Sequence, residues 1–144
     1  MKNTINKYFE VKVKLQKTME DGQQKKVSEQ YVVEAATFGE AERRIAECLK
    51  PSIEGEFEVT DIKIAGYGQI INDNQDADKF FKAKVSFITL DETTGKEKKT
   101  SELYLVQSDT LESAESDVKS FLNDGNTTIS SISETAILDV FPLD

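Results

Sequence analysis

Residues 22–42 read GQQKKVSEQYVVEAATFGEAE, and residues 95–115 read GKEKKTSELYLVQSDTLESAE. The two stretches align without a gap. Gly22, Lys25, Lys26, Ser28, Glu29, Tyr31, Val33, Thr37, Ala41 and Glu42 each meet an identical residue 73 positions on. Upstream, Tyr8-Phe9-Glu10-Val11-Lys12-Val13 aligns with Phe80-Phe81-Lys82-Ala83-Lys84-Val85 at a spacing of 72, so one residue enters the second copy in the turn. Residues 8–20 and 22–49 give 15 identities in 41 aligned positions. Chance gives about two or three on ordinary residue frequencies. Two copies of this length are a duplicated supersecondary unit, not a solenoid of many short repeats.

Each copy starts with strict alternation. Phe9, Val11, Val13 and Leu15 share one face and Glu10, Lys12 and Lys14 the other; Phe81, Ala83, Val85 and Phe87 repeat the apolar set. Period two means a strand with one buried and one wetter face. Glu20-Asp21-Gly22 and Thr93-Thr94-Gly95 then read as hairpin turns. Thr37 with Glu40 three residues on is a capping box, and Thr110 stands in its place in the second copy. The helices that follow put Phe38, Ala41, Ile45, Cys48 and Leu49, then Leu111, Ala114, Val118, Phe121 and Leu122, on one stripe. Pro51 stops the first helix and Asn123-Asp124-Gly125 the second.

The closing strands carry Phe57, Val59, Ile62 and Ile64, and Ile129 and Ile132. Apolar residues three apart break the alternation at Thr60-Asp61 and Ser130-Ser131. A β-bulge there restores the register, and a short loop between two shorter strands is the alternative. Gly66-Tyr67-Gly68 bends the chain or makes a bulge.

The expected fold is therefore α+β. It has two tandem strand-strand-helix-strand repeats packed with pseudo-twofold symmetry, mainly antiparallel sheet with two helices. Residues 1–144 are expected to form a single compact domain of repeat 1 (8–71) and repeat 2 (80–142), joined by an acidic linker (72–79), since one copy alone is marginally small.

Composition narrows the chemistry. The chain has 27 acids against 18 Lys and Arg, a net charge of −9, no histidine and one cysteine. Lacking histidine, it has no Ser-His-Asp or Cys-His machinery and no histidine-ligated metal. Cys48 falls on the helix stripe as a buried thiol without a base. No glycine-rich phosphate loop occurs. Asp73, Asp76 and Asp78 fail the calcium-loop spacing, because Gln75 and Ala77 fall where ligands belong. No carboxylate pair stands out as a glycosidase pair. An enzyme is thus the least supported class, and no cofactor is expected. With no long apolar run and no apolar core in MKNTINKYFEVKVK, no membrane role is expected and the location reads as cytoplasmic.

Two features bear on binding. Lys12, Lys14, Lys25 and Lys26, with Lys82, Lys84, Lys98 and Lys99, place lysines at equivalent points of both hairpins. A lysine-bearing β-face flanked by Tyr8 and Phe80 is one way to hold single-stranded nucleic acid. Lysine on an outer face also simply discourages aggregation, and the net charge opposes nucleic acid. Second, Phe80, Ile88, Leu103 and Leu105 make the outer face of the second copy more apolar than Tyr8, Gln16, Gln30 and Val32 make the first. That face can meet the other copy, a homodimer partner or another protein. The leading expectation is a non-enzymatic binding or assembly module with protein partners. Single-stranded nucleic-acid binding through the lysine hairpins is the alternative.

YFEVKV, GQQKKVSEQYVV, GEFEVTDIK, FITLDETTGKEKKTSELYLVQ and ISETAILDVFP together resemble an uncharacterised family of Bacteroides-type gut bacteria and their phages, over essentially the whole chain. That family carries a domain-of-unknown-function label. The resemblance therefore implies no catalytic residue. It implies a phage or mobile-element context, which favours a nucleic-acid role somewhat.

Overall fold

The computed structural model describes residues 6–143 apart from 54, 124 and 126. Asp124, part of the expected second helix stop, and the first five residues lie outside the described residues. The chain divides into two compact units. One holds the residues up to Ala65 and those from Ala136 on; the other is Gly66–Thr135.

The first unit begins with β1 (Lys7–Thr18) and β2 (Gln24–Ala35), paired antiparallel from Lys7↔Ala35 to Thr18↔Gln24. Gly22 closes the turn at φ +85°, a left-handed conformation that favours glycine. Helix α1 (Phe38–Leu49) follows. The Thr37 Oγ1 accepts the Glu40 N–H at 3.1 Å, and the Glu40 carboxylate accepts the Ala36 N–H at 3.3 Å. Strand β3 (Phe57–Ala65) then pairs antiparallel with β1. The register runs Lys12↔Asp61 and then Val13↔Val59, so Thr60 is the extra residue of a β-bulge, the first of the two expected readings.

The second unit repeats this order. It holds β5 (Lys79–Leu90), β6 (Glu97–Ser108), α2 (Leu111–Leu122) and β7 (Thr127–Glu134). Ser130 is the bulged residue, and Thr110 caps α2 by accepting the Ser113 N–H at 3.1 Å. Asn123, at φ +38°, ends that helix.

Two short strands complete the sheets: β4 (Tyr67–Ile71) and β8 (Ile137–Phe141). Each leaves the sheet of the strand it continues. β4 runs parallel to β6 in the second unit, and β8 runs parallel to β2 in the first. The orders are β3-β1-β2-β8 and β4-β6-β5-β7. The α+β class thus holds, with two mixed, mostly antiparallel sheets and the strand-strand-helix-strand pattern repeated. The sequence period and the folded unit differ by these exchanged strands.

The helix-facing core of the first unit is Phe9, Val11, Val13, Leu15, Tyr31 and Val33 against Ala41, Ile45 and Leu49. The second packs Phe81, Ala83, Val85, Tyr104 and Val106 against Ala114 and Val118. The helix stripes are narrower than expected. Cys48 is only half-buried, and Phe38, Leu111 and Phe121 are about half exposed. Residues four apart (41, 45, 49) take the line facing the sheet, and the flanking positions rest on its rim. Phe38 sits there edge-on to Phe9, with ring centroids 5.0 Å apart.

The stretch 72–79 is more than a solvated linker. Ala77 is buried, and the Gln107 amide donates to the Ala77 carbonyl at 2.7 Å and the Gln75 carbonyl at 3.3 Å. Glu34, which aligns with Gln107, plays a matching part by accepting the Leu143 N–H at 3.0 Å. The Arg44 guanidinium donates to the carbonyls of Glu34, Phe141 and Pro142, tying the end of β8 to α1 and β2. Among the described residues, no helix is long and apolar enough to cross a membrane.

Candidate functional site

Both hairpins outrun their sheets. β8 pairs with β2 only at Gln30–Val33, and β4 pairs with β6 only at Leu103–Val106. Among the described residues, the far edges of Gln24–Glu29 and Glu97–Glu102 therefore have no strand beside them. A strand edge of this kind presents alternate N–H and C=O groups outward.

The eight lysines decorate these hairpins but form no single patch. Cross-strand pairing puts Lys12, Lys14 and Lys26 on the face of β1-β2 away from α1, and Lys25 on the helix side opposite Lys17. Likewise Lys82, Lys84 and Lys99 share the outer face of β5-β6, whereas Lys98 lies on the helix side. Acids interleave with them. Lys12 stands opposite Asp61 and Lys14 opposite Glu58. Lys82 lies with its ammonium 5.6 Å from the centroid of the Tyr67 ring. Of the aromatic rings beside this face, Phe80 and Tyr67 are buried, so neither is presented for a base to stack on.

The four apolar residues of the second outer face part company. Phe80 and Leu105 are 2% and 0% exposed, and Leu103 is half-buried. Ile88 is 56% exposed, and Leu90, which the sequence reading did not single out, is 65% exposed. Both sit on the overhanging part of β5, opposite Lys99 and Glu97. Their counterparts in the first hairpin are Gln16 and Thr18.

Under the first hairpin lies an open cleft of about 1150 Å³, lined by residues including Lys17, Glu29, Tyr31, Phe57 and Leu138. Inside it the Tyr31 hydroxyl donates to Glu29 at 2.9 Å, and the Lys17 ammonium meets the other Glu29 oxygen at 2.8 Å. Burial, and then the Glu29 carboxylate, pushes the Tyr31 phenol well above its ordinary pKa. A phenol so held keeps its proton at neutral pH and is no base. Cys48 is likewise raised, first by burial, despite the lowering effect of Arg44. A thiol held in its neutral form is a poor nucleophile. Among the described residues, no three His, Cys, Asp or Glu side chains are placed to hold a metal ion. The Glu-x-Tyr pairs at 29/31 and 102/104, two apart on a strand and present in both copies, were a legible sign of this contact that the sequence reading passed over.

A family model described as a domain of unknown function (DUF4494) matches residues 7–143. The chain belongs to that family. No curated protein and no solved structure matches it.

Proposed function

We propose that this member of the DUF4494 family is a non-enzymatic binding and assembly module. It takes an extended segment of a protein partner onto the overhanging edges of its hairpins. The observation that carries this reading is the unmatched edge at Gln24–Glu29 and again at Glu97–Glu102. Strand addition draws affinity from main-chain hydrogen bonds and specificity from the side chains beside the edge. Here those side chains are lysines and glutamates, so the partner segment is expected to carry both charges in alternation. Exposed Ile88 and Leu90 add an apolar contact beside the second edge. A phage-related or mobile-element setting, which the resemblance to Bacteroides-type sequences implies, is compatible with an assembly role, as is the cytoplasmic location expected from the sequence.

The test is a display library of extended peptides, with binders mapped by amide chemical-shift changes. Changes concentrated at 24–29 or 97–102 support strand addition. Labelled single-stranded DNA forms the second arm. If DNA binds, weakening steeply with salt and lost on changing Lys25, Lys26, Lys98 and Lys99 to Glu, while no peptide binds, the proposal gives way to nucleic-acid recognition.

A further inference from the structure

β3 closes one side of the first sheet and pairs with β1, so among the described residues its other edge has no strand along its whole length. That edge is open: Glu58, Thr60, Asp61, Lys63 and Ile64 are exposed. Beside it two adjoining clefts, of about 620 and 400 Å³, run between β3 and α1. Phe57, Val59 and Ile62 floor them, and Gly39 lines both. A Cβ at Gly39 would meet nothing within 4 Å, so the packing of the described residues does not call for glycine there. Glycine in a helix is otherwise a cost, and the matching position of α2 is Glu112.

The edge is complementary to itself. Suppose β3 of a second copy adds antiparallel, with the twofold axis at the Thr60-Asp61 bulge. Each residue then meets one on the same face. Counted outward from the bulge, Val59 meets Ile62 of the second copy and Phe57 meets its Ile64, both on the helix side. On the outer face Glu58 meets its Lys63. The symmetry makes every one of these contacts twice. Lys63 also lies 3.5 Å from Glu10, but its side chain is 61% exposed and its ammonium has further donors to offer. Thr60 meets Asp61, which stands opposite Lys12 of its own chain.

Neighbouring registers are worse. An axis at Val59 sets Glu58 against Asp61. One at Glu58 or at Lys63 opposes identical charges, which is destabilising. One at Ile62 pairs Lys63 with Asp61, but it leaves Glu58 facing Ala65 and carries Phe57 past the end of the strand. The bulge selects as well. A kinked edge turns away from a regular strand, whereas a strand kinked at the same point follows it. Attraction and rejection together single out a copy of the same strand. The β7 edge repeats the apolar pair as Ile129 with Ile132, but it sets Thr128 against Ser133, with no charge to fix a register.

We infer that this chain pairs with a second copy of itself through antiparallel addition of β3 to β3, with the twofold axis at the Thr60-Asp61 bulge. The added strand covers Ile64 and enters the cleft that Phe38 borders, two large apolar residues that are each about half exposed in the single chain. Both hairpin edges stay open, so this pairing is independent of the partner segment proposed above.

Charge reversal tests it on the full chain. Glu58→Lys alone and Lys63→Glu alone each turn both attractive contacts into like-charge contacts. Sedimentation equilibrium should show the dimer dissociation constant raised about tenfold or more in each. An equimolar mixture of the two variants restores both pairs and should dimerise as the unaltered chain does. Should Lys63→Glu, which takes a cation from Glu10, fail to fold, a cross-link decides without it. In a Cys48→Ser background, one chain carries Glu58→Cys and another Lys63→Cys. Directly opposed antiparallel residues lie about 4.5–5.5 Å apart between Cα atoms, within the disulfide range of about 4.4–6.8 Å. Mild oxidation should cross-link the mixture, and neither chain alone, because each thiol stands four positions from its own copy. Absence of the mixed cross-link overturns the inference. So does a dimer indifferent to Glu58→Lys, or a chain that stays monomeric at millimolar concentration.

Discussion

Because the chain crosses between its units at 65/66 and again at 135/136, damage to one unit should be felt in the other. Consider Val118→Ala. Val118 is fully buried in the second core. Removing two methyl groups forfeits about 1.6 kcal/mol of transfer energy, and the residual cavity brings the loss to about 2 kcal/mol. Suppose the second unit unfolds. β8 is then tethered to the first unit by a floppy stretch, Gly66–Thr135, of 70 residues. Closing a loop of that length costs about 4 kcal/mol. Against this, β8 offers its ladder to Gln30–Val33, at about 1 kcal/mol per hydrogen bond, and the Phe141 ring stacked 5.8 Å from Tyr31, about 1 kcal/mol more. Ordering the five residues of β8 again costs about 1–2 kcal/mol each. The strand therefore detaches, and the first unit loses the cover over Tyr31. The chain should melt in one transition.

Since the sequence contains no tryptophan, single reporters can be placed by Phe38→Trp in the first unit and Phe121→Trp in the second. In a single transition of this size, Val118→Ala should lower both reporters' midpoints together, by about 4–8 °C. Were the units independent, the reporter at 121 would fall by about 8–16 °C and the one at 38 would not move. A stationary reporter at 38 refutes the coupling argument.

Other expectations follow from the local geometry. Thr37→Ala and Thr110→Ala should each cost about 1 kcal/mol by urea denaturation. The loss should be larger at Thr37, where Glu40 completes a reciprocal cap. Gly95→Ala, at φ +72°, should destabilise by about 1 kcal/mol, whereas Gly39→Ala, in α1 with open space around its Cβ, should stabilise by roughly 0.5–1 kcal/mol. At alkaline pH the Tyr31 phenol, raised in the folded state, favours the fold while protonated. That stability is fully present below the ordinary tyrosine pKa of about 10 and is lost as pH climbs toward the folded value. Denaturation midpoints followed upward from pH 8 should fall, and Tyr31→Phe should flatten the fall.

Much of the fold was legible because it is local. Alternation in 8–15 and 80–87, glycine at the turns, and threonine three residues before an acceptor-capped N–H each act within a few residues. Duplication let every sign be read twice. The bulges at Thr60 and Ser130 were readable for the same reason, since a broken period two is visible without neighbours. The candidate surface was half legible. Ile88 was recognised as outward, but Phe80 and Leu105 bear the same alternation, and no local pattern says which outward residues end up buried. The lysines looked like a patch in one dimension, and strand parity divides them between two faces.

By itself, then, the sequence determined the elements, their order, their caps and the doubling of the unit. Those depend on backbone preferences and on short-range periodicity. Only the tertiary structure decided where β4 and β8 go. Tyr67–Ile71 and Ile137–Phe141 have nearly the same buried-exposed pattern, and each fits an edge beside either β2 or β6. The choice depends on contacts between residues far apart in the chain, such as Arg44 with Phe141 and Gln107 with Ala77. It also leaves Glu97–Glu102 without a strand paired along its outer edge among the described residues, because a five-residue strand cannot cover a twelve-residue one.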